Sequence, residues 1–203
     1  MTRLTVLLSL TVALACSGGE PRDLSPSGFV GAELPKPVPK PDFTFTDSKG
    51  KPFPFVAKTA GRVTLLFFGY TSCPDICPVH LANIAAVLDK LSDDIQRQVM
   101  VIFVTTDPGR DSLPVLDAWV KGFDPNFIGL TASDSVLAAA QALVKLLPAE
   151  RDTLRDAKGG YRVGHAATVI AYTPDGLGRV MYPFGTRQRD WAHDLPALVA
   201  YGR

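Results

Sequence analysis

Cysteine is scarce in this chain, three in 203 residues, and two of the three stand together. Cys73 and Cys77 frame the run Cys73-Pro74-Asp75-Ile76-Cys77-Pro78. Three intervening residues place the two side chains about one helical turn apart, on one face. From there the sulfurs can close a disulfide, if the first lies just outside the helix, or converge on one metal ion. The run follows a continuous apolar stretch and opens a helical pattern. A helix start offers unpaired N–H groups and a partial positive charge, and both favour thiolate over thiol. Thiolate is the form that attacks disulfides and binds metal. Cys77 lies four residues before Leu81 and seven before Ile84, so it leans toward the body, and Cys73 is expected to be the more exposed. Two thiolates alone leave redox exchange and metal binding both open. A third donor would help decide.

The elements that must position these thiols alternate strand and helix. Residues 42–55 alternate apolar and polar about Ser48-Lys49-Gly50, which predicts a small β-hairpin. Val63–Gly69 and Val99–Thr105 are apolar runs of strand length, the pattern of central parallel strands covered on both faces. Leu81, Ile84, Leu88 and Leu91 recur at helical spacing after the cysteine pair. A second helix is predicted over residues 113–123, with Pro114 tolerated in its first turn, then a short strand over 127–130. Ser133 suits the N-cap of a third helix carrying Val136, Ala140, Leu143, Val144 and Leu147. Residues 149–163 are polar and irregular. Strands follow over 167–172 and 179–184, joined by a turn at Pro174-Asp175-Gly176. Trp191, Leu195, Leu198 and Val199 mark a closing helix. Parallel strands joined by helices, then an antiparallel hairpin, predict an α/β sandwich of thioredoxin type, with a central mixed sheet, an N-terminal β-hairpin and flanking helices. A flavodoxin-like order is disfavoured by the late hairpin.

In that architecture the carboxyl ends of the strands gather ligands, and the chain entering the strand over 167–172 passes beside the cysteine loop. There, where true thioredoxins carry a cis-proline, this chain has His165 between Gly164 and Ala166. His165 is therefore the expected third donor. His80, three residues after Cys77, could reach the site, but a solvated helix position is the expected reading. His193 is expected to be an ordinary helix residue. Two thiolates and one imidazole suit copper, since thiolates favour Cu(I) and the mixed set also accepts Cu(II). Zinc accepts the same donors, but structural zinc usually takes four protein ligands.

Residues 1–16 read MTRLTVLLSLTVALAC: one early arginine, then about twelve mainly apolar residues, too short for a bilayer span of roughly twenty and right for a signal-peptide core. Ala13-Leu14-Ala15 offers an ordinary cleavage site. Cys16 before Ser17-Gly18-Gly19 offers a bacterial lipoprotein junction, although Ala13 replaces the usual leucine. The lipoprotein reading also accounts for the odd thiol, so a signal peptide over 1–15 and an acylated Cys16 are expected. Residues 17–41 are proline-rich without apolar period and are expected to be an extended tether leading to a domain over 42–203. Lys and Arg number 21 against 20 Asp and Glu. Removing 1–15 takes Arg3 and no acid, leaving 20 bases against 20 acids. A neutral domain has no electrostatic footprint for nucleic acid. Three cysteines cannot build a disulfide scaffold, and Met1, Met100 and Met181 are too scattered for a methionine-rich copper tract.

Three ordered stretches carry a family resemblance: FFGYTSCPDICPVHLANI, then VIFVTTDPGRDSLPVLDAWVKGFDPNFIGLT, then YRVGHAATVIAYTPDGLGRVMYPFG. Together they resemble the Sco/SenC proteins, copper chaperones for cytochrome c oxidase, from about residue 42 to about residue 185. The resemblance implies a thioredoxin-like fold and copper held by Cys73, Cys77 and His165, one ion per chain. It implies delivery of copper to the binuclear site of cytochrome c oxidase subunit II, or reduction of that site's cysteines by Cys73 and Cys77 as a redox pair. It further implies a membrane-anchored domain on the periplasmic side, with other periplasmic copper chaperones as candidate partners. The implied role is that of a metallochaperone rather than an enzyme, apart from thiol-disulfide exchange. Asp75 matches the family's C-P-D pattern. Two positions depart from it: Ser72 stands where many members have histidine, and Gly164 replaces the acid common before the ligand histidine. A peroxidase of the peroxiredoxin type shares the fold but usually places threonine three residues before its reactive cysteine, where this chain has Tyr70.

Overall fold

The computed structural model describes residues 24–154 and 160–202. The expected signal peptide, Cys16 and the first part of the expected tether lie outside the described residues. The elements run β1 (Ala32–Pro39), β2 (Thr44–Asp47), β3 (Pro52–Pro54), α1 (Phe55–Thr59), β4 (Val63–Gly69), α2 (Ile76–Leu88), α3 (Asp93–Gln98), β5 (Val99–Thr105), α4 (Leu113–Lys121) and β6 (Ile128–Thr131). They continue with α5 (Asp134–Leu143), β7 (Glu150–Arg151), β8 (Val163–Gly164), β9 (Thr168–Tyr172), β10 (Leu177–Pro183) and α6 (Gln188–Ala200).

Eight strands form one mixed sheet in the order β1-β10-β9-β4-β5-β6-β2-β3. Strand β4 pairs parallel with β5, and β5 with β6, while β9 runs antiparallel to β4. β4 and β5 are buried along their whole length, which is why both read as unbroken apolar runs. Side chains alternate across a strand, so β4 feeds two cores. Leu65 and Phe67 face the layer of α2, α4 and α6, where Leu81, Leu116 and Trp191 pack. Leu66 and Phe68 face α5, against Leu137 and Ala140. This is the thioredoxin-like sandwich expected from the element order, with the N-terminal hairpin β2–β3 paired onto β6.

Four local expectations are corrected. Residues 32–39, read as part of the tether, form edge strand β1, antiparallel to β10. The helix after the cysteines ends at Leu88, and a separate polar α3 follows. The irregular stretch 149–163 contains an arm in which β7 pairs with β8, Glu150 opposite Gly164. Ser133 stands at the N-cap of α5, but its hydroxyl bonds Ser135 Oγ at 3.1 Å instead of a helix N–H.

Candidate metal centre

Strand β4 ends at Gly69, and a tight turn carries the chain into α2. The Cys73 N–H bonds the Tyr70 carbonyl at 3.1 Å. Cys73 therefore sits just outside the helix, and Cys77 lies in its first turn. The Cys77 N–H, one of the helix's orphan donors, points at Cys73 Sγ at 3.5 Å. Behind the pair, Gly69 leaves room for sulfur: a Cβ there would lie 2.6 Å from Cys77 Sγ. The turn is fixed from below by Asp111, whose buried carboxylate accepts from the Thr71 N–H at 3.0 Å, the Thr71 hydroxyl at 2.6 Å and the Thr105 hydroxyl at 2.6 Å.

His165 lies between β8 and β9. Its Nε2 is 3.9 Å from Cys73 Sγ and 3.5 Å from Cys77 Sγ. Its Nδ1 lies 3.2 Å from the Ala166 carbonyl. With Nδ1–H donating to that carbonyl, the Nε2 lone pair is the one that faces the sulfurs. The ring stands edge-on to Tyr70, centroids 5.6 Å apart, and packs on Phe67. The three donor atoms lie within 4.8 Å of one another. Both cysteines are free thiols. Cys73 is 8% exposed and Cys77 fully buried, the expected order, although Cys73 is far less open than the sequence suggests. An open groove of about 670 Å³ borders Cys73 and His165, with Tyr70, Ile76 and Arg162 along it.

The two thiols are electrically unequal. The Cys77 S–H, the Cys77 N–H and His165 stabilise a negative Cys73 sulfur against its burial and hold its pKa down to about 4. The Cys77 thiol is pushed far up, first by its bond to Cys73 and then by burial. The asymmetry favours a Cys73 thiolate hydrogen-bonded by the Cys77 thiol.

His80 does not occupy the solvated position expected for it. It is 3% exposed, and its Nε2 lies 3.4 Å from the Ala167 carbonyl. Burial holds its pKa below the usual imidazole range. His193 bonds Asp194 at 2.7 Å, away from the donor cluster. In the Asp107-Pro108-Gly109-Arg110-Asp111 loop, Arg110 pairs with the buried Asp107, which also accepts from the Tyr161 hydroxyl at 2.7 Å. That loop contributes structure beneath the site. Asp75 has no hydrogen bond from its side chain to the helix it opens. Gly69 and Asp111 are supporting residues that sequence reasoning did not single out, and His80 is buried, contrary to the solvated position expected for it. The nearest signals were the glycine ending an apolar strand and the aspartate closing the loop motif.

A thioredoxin-like domain with two thiols at a strand–helix turn and an imidazole entering the next strand defines a soft-metal or thiol-exchange protein. More specifically, residues 32–200 match the SCO1/SenC family model, and the chain belongs to that family. It is similar to the solved apo Sco1 of Thermus thermophilus, with 33% identity, a TM-score of 0.73, and 84% of this chain and 97% of that one covered. It is also similar to ScoI of Bradyrhizobium japonicum, solved with copper bound, with 30% identity, a TM-score of 0.69, and 80% and 99% covered. Among curated relatives, the mitochondrial SCO2 homolog of Mus musculus is 34% identical over 137 residues, which are 67% of this chain. The match spans 52% of the mouse protein's length. Among the described residues, no helix is long and apolar enough to cross a membrane.

Proposed function

We propose that this protein is a copper-binding metallochaperone that assists assembly of the binuclear copper centre of cytochrome c oxidase. In this reading it is held at the extracytoplasmic face of a bacterial membrane through an acylated Cys16. The copper is cargo, taken up and passed on. The observation that carries the reading is the meeting of Cys73 Sγ, Cys77 Sγ and His165 Nε2 within 4.8 Å. Two sulfurs and one imidazole are a donor set suited to copper, and the copper-bound Bradyrhizobium relative supports that cargo. Cys73 offers its thiolate directly. Cys77 must release its proton for both sulfurs to bind, so copper uptake competes with that proton. The groove beside Cys73 and His165 leaves one side open to a partner, either a chaperone that donates copper or the copper site of oxidase subunit II that accepts it.

Copper titration tests the reading. The reduced domain takes up one copper per chain, and His165→Ala lowers the affinity sharply. Closing the disulfide removes both thiolates and abolishes tight uptake. Copper affinity that is unchanged in His165→Ala counts against the assignment.

A Cys73 thiolate with the Cys77 thiol beside it supplies the attacker and resolver for a second reading, a reductase that keeps the oxidase's copper-site cysteines reduced. The Cys73 thiolate attacks one sulfur of the partner's disulfide and expels the other as thiolate. Cys77 loses its proton and attacks Cys73, which releases the partner's second thiolate. Two electrons pass to the partner, and a Cys73–Cys77 disulfide remains. The test is exchange with an oxidised copper-site peptide. No exchange in the reduced domain, with copper uptake intact, leaves the first reading alone.

A further inference from the structure

His80 is a buried imidazole that the donor cluster does not use. It sits on α2, one turn beyond Cys77. Its Nε2 lies 3.4 Å from the carbonyl of Ala167, two residues after His165. Its ring is held between Phe67, at 5.1 Å between centroids, and Phe184, at 5.9 Å. Phe67 also packs on the His165 ring, at 5.9 Å.

The segment it touches needs an anchor. Strand β8 ends at Gly164 and β9 begins at Thr168, so His165, Ala166 and Ala167 connect two strands without belonging to either. The Ala167 carbonyl accepts the Phe184 N–H at 2.9 Å from the β10 side. Its second lone pair faces His80, on the helix that carries Cys77. A neutral imidazole with hydrogen on Nε2 donates there, and the bond is made across the gap that separates the thiols from the third donor.

The geometry points to His80 as a positioning residue: by tying the Ala167 carbonyl to α2, it sets where His165 Nε2 stands relative to the two sulfurs. This rests on the copper reading of the Cys73, Cys77 and His165 cluster. Removing such an outer partner typically costs about tenfold or more in metal affinity.

The test is a double-mutant cycle on copper affinity in the reduced protein. His80→Phe keeps an aromatic ring between Phe67 and Phe184 and deletes the donor. His80→Gln keeps a donor of similar reach. We expect His80→Phe to weaken copper binding by about tenfold, His80→Gln to restore most of it, and His80→Phe to add no loss once His165 is alanine. An equal loss in both backgrounds, or no loss with His165 present, overturns the proposal. Nitrogen chemical shifts of the His165 ring in the metal-free reduced protein provide a second readout. They move in His80→Phe and return in His80→Gln if the tie positions the ring, and unmoved shifts overturn it. If His165→Ala leaves copper affinity unchanged, the copper reading falls, and these shifts alone decide the role of His80.

Discussion

The Asp111 carboxylate holds Thr71 twice, by its backbone N–H at 3.0 Å and by its hydroxyl at 2.6 Å, across forty positions of sequence. Thr71 opens the turn that carries Cys73, so this carboxylate is the floor of the cysteine loop. A buried carboxylate without donors is costly, and donors left without it are costly too. Asp111→Ala is expected to destabilise the reduced domain by about 3 kcal/mol, since three buried or half-buried donors lose a charged acceptor. Urea unfolding measures that loss. Alkylation of Cys73 should become faster as its turn loosens.

Gly69 and Cys77 form a matched pair of small backbone and large sulfur. An added Cβ at position 69 would lie 2.6 Å from Cys77 Sγ and 2.7 Å from the Phe103 ring. Gly69→Ala is expected to cost about 1–3 kcal/mol, the usual range for overpacking. It should also weaken copper binding by displacing that sulfur. Thermal unfolding and copper titration of the same variant check both effects. Wild-type copper affinity in a folded Gly69→Ala would show that the sulfur seat tolerates displacement.

The Cys73 thiol titrates at about 4 in the folded domain against an ordinary 9.0. A depressed acid binds fewer protons folded than unfolded over that interval, so stability rises with pH through it. The contribution is complete above pH 9 and disappears as pH falls through about 4. Cys77 has the opposite sign, because its pKa is raised by Cys73 and by burial. It costs stability only above its ordinary value. The reduced domain should therefore gain stability from pH 4 toward 9 beyond what Cys73→Ser gains. Denaturant melts of both across that range measure the difference, and parallel curves would contradict the assigned thiolate.

Asp194 on α6 clasps the chain that leads into β1. Its carboxylate accepts the Val30 N–H at 3.0 Å, the Gly31 N–H at 2.9 Å and the Tyr182 hydroxyl at 2.8 Å. Gly31 has no room for a side chain, since a Cβ would lie 2.4 Å from Val180. Asp194→Ala should release residues 29–33 and raise their amide hydrogen exchange, with about 3 kcal/mol lost from the fold. Exchange at the cysteine turn should stay unchanged, because the clasp lies on other elements.

The cysteine pair and His165 were legible because each reports locally. A strand-length apolar run, two cysteines at helical spacing and a histidine before another apolar run specify the site through element order alone. What holds them was not legible. Asp111 reaches Thr71 only through the fold, and α2 buries His80 on the face shared with Cys77 and Ile84, where a polar imidazole gives no apolar signal. Strand β1 escaped for a different reason. Its prolines and lysine lack the apolar period of a strand, and only the pairing with β10 makes it one. The polar α3 has no buried residue, so no hydrophobic pattern announced it.

Those same prolines act at the rim of the sheet. Outermost strand β1 carries Pro35, Pro37 and Pro39 around Lys36, and β3, at the opposite margin, carries Pro52 and Pro54. Proline has no amide hydrogen to offer, and a charged lysine resists stacking against its like. Both margins are therefore poor templates for a strand from a neighbouring copy. Both open edges of the sheet are thus guarded against edge-to-edge pairing with another copy.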